Sequence, residues 1–165
     1  MRQLNIIILS VCLALISTSV WSQKSFFPAN PSASVFQKLT SIDGLSQGSI
    51  NIIVQDKNGF IWIGTNDGLN RYDGYNINVY RNNVDDTLSI SCNQIRKILI
   101  DNNNILWIGT EKGLNRFDPR GSKFQHHSNI KLGADVFVQN MDIDENGKIW
   151  IISKDSRLIS SSTIN

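Results

Sequence analysis

The densest run of potential metal ligands is AspIleAspGluAsnGly, residues 142 to 147. Oxygen donors at alternate positions and a glycine for the bend imitate the opening of a calcium loop. The imitation fails downstream, because such a loop ends on a bidentate Glu and Ser153 stands in that slot. The same slot in the other repeats reads AspLysAsnGly (56–59) and AspAsnAsnAsn (101–104). A hairpin turn whose Asp hydrogen-bonds its own backbone accounts for all three, so no metal site is expected.

Three tryptophans, Trp62, Trp107 and Trp150, could stack on sugar rings, since an indole offers a flat apolar platform. Their neighbours along the chain are apolar on both sides, which favours buried packing instead. Arg71 and Arg116 each follow an Asn and precede an aromatic. They could take an anionic ligand, but a residue that recurs serves each repeat alike, so pairing with Asp73 and Asp118 is expected. Cys92 has no Cys or His near it in sequence, which fits a buried inert thiol rather than a nucleophile or metal ligand. No catalytic residue and no cofactor motif emerges: the recurring types are Trp, Gly, Leu, Asn, Arg and an aromatic, a vocabulary of packing and turns.

The elements that position these residues are repeats. PheIleTrpIleGlyThrAsnAspGlyLeuAsnArgTyrAspGly (60–74) returns as LeuTrpIleGlyThrGluLysGlyLeuAsnArgPheAspPro (106–119), and a worn copy begins at LysIleTrpIleIleSerLysAsp (148–155). The spacing is 45 positions from Trp62 to Trp107 and 43 from Trp107 to Trp150. That period matches four short strands per unit, as in a propeller blade. In the first repeat, strands are expected over Ile50 to Gln55, Phe60 to Ile63, Leu69 to Tyr72 and Ile77 to Arg81. Asn58 and Gly59 supply a hairpin turn between the first two. In the second, they are expected over Ile95 to Ile100, Leu106 to Ile108 and Leu114 to Phe117, with a last one at Phe124. An aromatic-bearing strand precedes each repeat, at Phe36 to Thr40, Tyr80 and Phe124. The third repeat departs from the pattern, with Ile152 and Ser156 where the others have glycine. The fold class is therefore all-β, about two and a half four-stranded blades of an incomplete β-propeller across residues 36–165. Tyr75, Tyr80, His126 and His127 fall in strand ends and loops where propellers bind ligands, but nothing singles them out, and the ligand-binding residues stay unassigned.

Composition sets the remaining bounds. The chain has 165 residues, 41% hydrophobic and 18% charged, with a formal net charge of +2. Its charges are dispersed with no basic run to neutralise phosphates, so a nucleic-acid partner is not expected. Arg2, the apolar stretch Ile6 to Ile16 and the small Ser22 read as a secretory signal over residues 1–22, with a mature N-terminus at Gln23. Residues 23–35, with two prolines among small polar residues, read as a tail or linker. Export with Cys92 as the remaining thiol leaves stability to packing rather than an intrachain disulfide.

SerIleAspGlyLeuSer (41–46), GlnAsp followed by GlyPheIleTrpIleGlyThr (55–65) and GlyLeuAsnArgTyrAspGly (68–74) together resemble the two-component regulator propeller repeats. The resemblance implies the N-terminal part of a periplasmic sensor from a hybrid histidine kinase, a homodimer anchored in the inner membrane through its C-terminal region. It implies carbohydrate as the ligand and control of polysaccharide-use genes as the output. The chain itself carries no phosphoacceptor histidine motif, ATP-binding glycine motif or receiver pattern, so it is not expected to be an enzyme, whereas the parent would be a histidine kinase. Alone it is expected to be incompetent as a sensor and prone to association, with Ile61, Ile63, Ile108 and Ile151 meeting water on open blade faces. Two other classes fit the same repeats: a secreted propeller enzyme acting on polysaccharide, which needs carboxylates converging on the central channel, and a structural or partner-binding propeller.

Overall fold

Backbone polar groups inside a packed protein must be paired, and short β-branched segments separated by tight turns pair best with their sequence neighbours. The computed structural model describes residues 36–121, 123–127 and 136–160. All of these except Phe36 and Gln37 belong to one unit, Lys38–Asn165. The signal and the tail expected over residues 1–35 lie outside the described residues. Eleven strands form three antiparallel sheets, each ordered as in the sequence. The first sheet is β1 (Ile50–Gln55), β2 (Ile61–Thr65), β3 (Gly68–Tyr72) and β4 (Ile77–Tyr80). The second is β5 (Ile95–Ile100), β6 (Leu106–Thr110), β7 (Gly113–Phe117) and β8 (Phe124–His127). The third is β9 (Val138–Ile143), β10 (Ile149–Ser153) and β11 (Leu158–Ser160). No α-helix occurs among the described residues.

The sheets are blades. β1 packs beside β5 and β5 beside β9, so the first strand of each sheet lies innermost and the later strands radiate outward. Each pair of neighbouring sheets encloses its own apolar core. Between the first two lie Trp62, Leu69, Ile95, Ile98, Leu106 and Phe117, joined by Tyr80 and Phe124. The rings pack edge to face as their quadrupoles favour, with Trp62 5.4 Å from Phe117 and Tyr80 5.7 Å from Phe124. Between the second and third lie Trp107, Leu114, Val138, Met141, Ile149 and Ile151. Each core is thus built around the tryptophan of the preceding blade. Trp62 is fully buried and Trp107 nearly so, whereas Trp150 is only partly covered.

Gly64 and Gly109 recur because the blades touch there. A Cβ on Gly64 would stand 2.6 Å from Ile95 Cγ2, and one on Gly109 2.5 Å from Val138 Cγ1, so both glycines let the next inner strand approach. Ile152 occupies this slot in the third sheet and is 42% exposed. A side chain is tolerated where no inner strand presses on it among the described residues.

Two expectations are corrected. Phe36 to Thr40 is not a strand: it joins no ladder among the described residues, and Phe36 is 94% exposed. Its last residue, Thr40, instead caps a 3-10 turn at Ser41–Asp43. The Thr40 hydroxyl accepts the Ile42 amide at 3.2 Å, while Asp43 accepts the Thr40 amide at 2.7 Å. Nor do Ile63, Ile108 and Ile151 meet water: all three are buried, the last two in the inter-blade cores, while Ile61 is half-buried. The exposed large apolar residues of the sheets are instead Ile50, Ile53, Ile152 and Leu158.

Candidate functional site

The recurring polar residues are taken up by the fold. In each hairpin between the first two strands, one carboxylate closes the turn and orients the tryptophan. Asp56, Asp101 and Asp144 accept the indole N–H of Trp62, Trp107 and Trp150 at 2.9, 3.1 and 3.0 Å. Asp144 also accepts the amides of Asn146 and Lys148, each at 2.9 Å, which is the hairpin geometry expected for residues 142–147. These bonds, the indole first, hold its carboxyl below the usual range. A second network ties the incoming chain to the blade. Asn70 accepts the Ser46 amide at 2.8 Å and donates to the Ile63 carbonyl at 3.1 Å, and Asn115 accepts the Ser91 amide at 2.9 Å in the same way.

The other candidates from the sequence do not converge. Arg71 does not pair with Asp73 but lies 4.7 Å from the Phe60 ring centroid, because Asp73 is engaged by the amides of Tyr75 and Asn76 at 2.8 and 2.6 Å. Arg116 donates to Gln125 at 3.2 Å, while Asp118 is gripped by both ends of the Arg120 guanidinium, which hold its pKa at about 2. Tyr75 is 92% exposed and Tyr80 lies in the aromatic core. His126 donates to the Ser89 carbonyl at 2.6 Å. His127 stands against Trp107, with ring centroids 5.2 Å apart, and burial pushes its pKa down. The buried Cys92 thiol donates to Gln94 at 2.8 Å.

A different set of residues does converge, and it is marked by bulges. The β1–β2 ladder pairs Ile50 with Thr65 and then Ile52 with Gly64, passing over Asn51. The β5–β6 ladder pairs Ile95 with Thr110 and then Lys97 with Gly109, passing over Arg96. The β9–β10 ladder passes over Gln139 between Val138 and Asn140. A bulge frees its extra residue from the ladder and re-aims the side chain. Here the same device, at the same end of every inner strand, carries Asn, Arg and Gln on a backbone that otherwise repeats.

Asn51 is satisfied locally, donating to Asn66 Oδ1 and to the Ile95 carbonyl, each at 2.8 Å. Arg96 and Gln139 instead line one cavity of about 310 Å³ together with Phe137 and Lys154. The Arg96 guanidinium and the Lys154 ammonium lie 5.3 and 5.2 Å from the Phe137 ring centroid. Arg96 pairs with Glu111, yet its Nε is buried without a hydrogen-bond partner. Sequence reasoning missed these positions because it followed what recurs. The available signal was the reverse: a polar position that changes type straight after a constant β-branched residue, Ile50, Ile95 or Val138. No group of three or more potential metal ligands gathers among the described residues.

Comparison with known proteins agrees with this architecture. The family model described as two component regulator propeller matches residues 44–67 and 89–112. Histidine kinase P4 of Formosa agariphila is 47% identical over 88 residues, which is 53% of this chain and 6% of that protein. Among solved structures, the extracellular domain of the hybrid two component system BT4673 from B. thetaiotaomicron superposes with a TM-score of 0.53 at 20% identity, covering 82% of this chain and 19% of that one. The corresponding domain of BT3049 from the same organism gives 0.48 at 21%, covering 75% and 24%. This chain spans well under a third of each of these proteins, and the likeness to BT4673 speaks for the fold alone. Residues 44–67 and 89–112 thus match two-component regulator propeller repeats, and the third sheet, around Trp150, follows the same strand plan.

Proposed function

We propose that this chain is part of the exported, ligand-sensing propeller of a hybrid two-component histidine kinase, and that the ligand is carbohydrate or a product of its breakdown. The carrying observation is the 47% identity over 88 residues to a histidine kinase. The bulge positions fit the role, because a sensor needs residues that vary on a scaffold that does not, and Asn51, Arg96 and Gln139 have that character. In this reading the parent is a membrane-anchored homodimer, the kinase activity belongs to its other domains, and the output is control of genes for polysaccharide use. The enzyme alternative finds less support, since the recurring aspartates that could have converged on a channel are engaged by turns and indoles.

The test is autophosphorylation of the membrane-embedded parent protein with and without added oligosaccharides. Ligand-dependent phosphorylation is the expected result. A kinase indifferent to every sugar tried, or a parent reading frame with no kinase domain, contradicts the proposal.

A further inference from the structure

The cavity between the second and third blades has a charge pattern that the fold does not require. Glu111 neutralises one of its two cations, Arg96, and leaves the other in excess. Lys154 is exposed and has no carboxylate within ion-pair distance among the described residues. The polar side chains that line the space are the Lys154 ammonium, the Arg96 guanidinium and the Gln139 carboxamide, so two of the three are cations and the third can donate as well as accept. Phe137 adds an apolar wall. At the corresponding bulge of the first blade, Asn51 spends its amide on Asn66 and on the Ile95 carbonyl, and it carries no charge.

We propose that this cavity binds a small organic anion, its carboxylate taken by Lys154 and Arg96 and its uncharged body lying against Phe137 and Gln139. At about 310 Å³ the space is at the small end of ligand pockets, the size for one ring acid rather than an extended chain. The inference goes beyond carbohydrate sensing, because it does not need the anion to be a sugar.

Isothermal titration calorimetry on the full chain, with folding checked by circular dichroism, tests it using two matched pairs: glucuronate against glucose, and benzoate against benzamide. At least one anion is expected to bind about tenfold or more tightly than its neutral partner, and to weaken about tenfold in Lys154→Gln and with added salt. Lys154→Arg retains binding. Gln139→Glu, at an exposed position, sets a carboxylate in the cavity and abolishes it. Benzoate binding without glucuronate binding upholds the anion site and removes support for a sugar ligand. Glucose binding as tightly as glucuronate overturns the anion proposal and leaves the carbohydrate reading standing. A folded chain that binds neither anion, or that binds them unchanged in Lys154→Gln, overturns the proposal as well.

Discussion

Asp56 and Trp62 hold each other in place. Asp56 Oδ2 accepts the indole N–H at 2.9 Å, while Oδ1 accepts the amides of Asn58 and Phe60 at 2.9 and 3.1 Å. One carboxylate, 5% exposed, therefore closes a hairpin and aims the ring that fills the space between blades. Asp56→Ala leaves a buried indole N–H and two turn amides without their acceptor. We expect a loss of about 2 to 4 kcal/mol, measured as a lowered urea midpoint.

Trp107→Ala tests the packing role of the tryptophans. The ring is 4% exposed in the core shared by the second and third blades, and its removal is expected to cost about 3 to 5 kcal/mol through the cavity left behind. An unchanged melting temperature in this variant would contradict a packing role.

Gly109→Ala tests the closeness of the blades. The new Cβ would lie 2.5 Å from Val138 Cγ1 and 3.3 Å from Met141 Sδ, so the third blade must move or strain. A loss of about 1 to 3 kcal/mol is expected from overpacking. Ile152→Ala, at the corresponding but open position, should change stability by less than Gly109→Ala in the same denaturation assay.

How much of this was legible in the sequence follows from what the sequence repeats. Trp62 and Trp107 with their glycines fixed the strand pairs, because identical turns and identical apolar spacing must fold alike. The hairpin role of Asp144 was legible, but its bond to Trp150 was not, since a separation of six residues gives no hint of contact without the ladder between them. Phe36 to Thr40 misled because an apolar, β-prone segment becomes a strand only where a neighbour offers an edge. Arg71 misled because a nearby acid in sequence, Asp73, was already engaged by its own turn. The candidate site was invisible for a third reason: a bulge breaks alternation by one residue, and neither composition nor period reports which residue the ladder passes over.

Protonation gives a further check. Burial, and secondarily the charge of Arg116, lower the pKa of His127 from its ordinary 6.5. A group with a depressed native pKa contributes stability that is full above its unfolded value and is lost as pH falls through the native one. Stability should therefore decline as pH falls below the ordinary imidazole pKa of 6.5, and His127→Gln should flatten that decline. Urea unfolding across this range reads it. Asp118, with a native pKa of about 2, should show no native-state titration until well below the usual carboxylate range in an NMR pH series.

Labour is divided in this reading: residues that recur hold the blades together, and Arg96 and Gln139, passed over at the second and third bulges, belong to the proposed anion site. The most direct measurement is the melting temperature of Gln139→Ala and Trp107→Ala and their affinity for whichever of glucuronate and benzoate the unaltered chain binds, taken side by side below both melting transitions. The account predicts that Gln139→Ala weakens binding at an unchanged melting temperature, whereas Trp107→Ala lowers the melting temperature and leaves the affinity of the folded protein intact. The reverse pattern, with Trp107→Ala abolishing binding in a protein as stable as the wild type and Gln139→Ala binding normally, would contradict it.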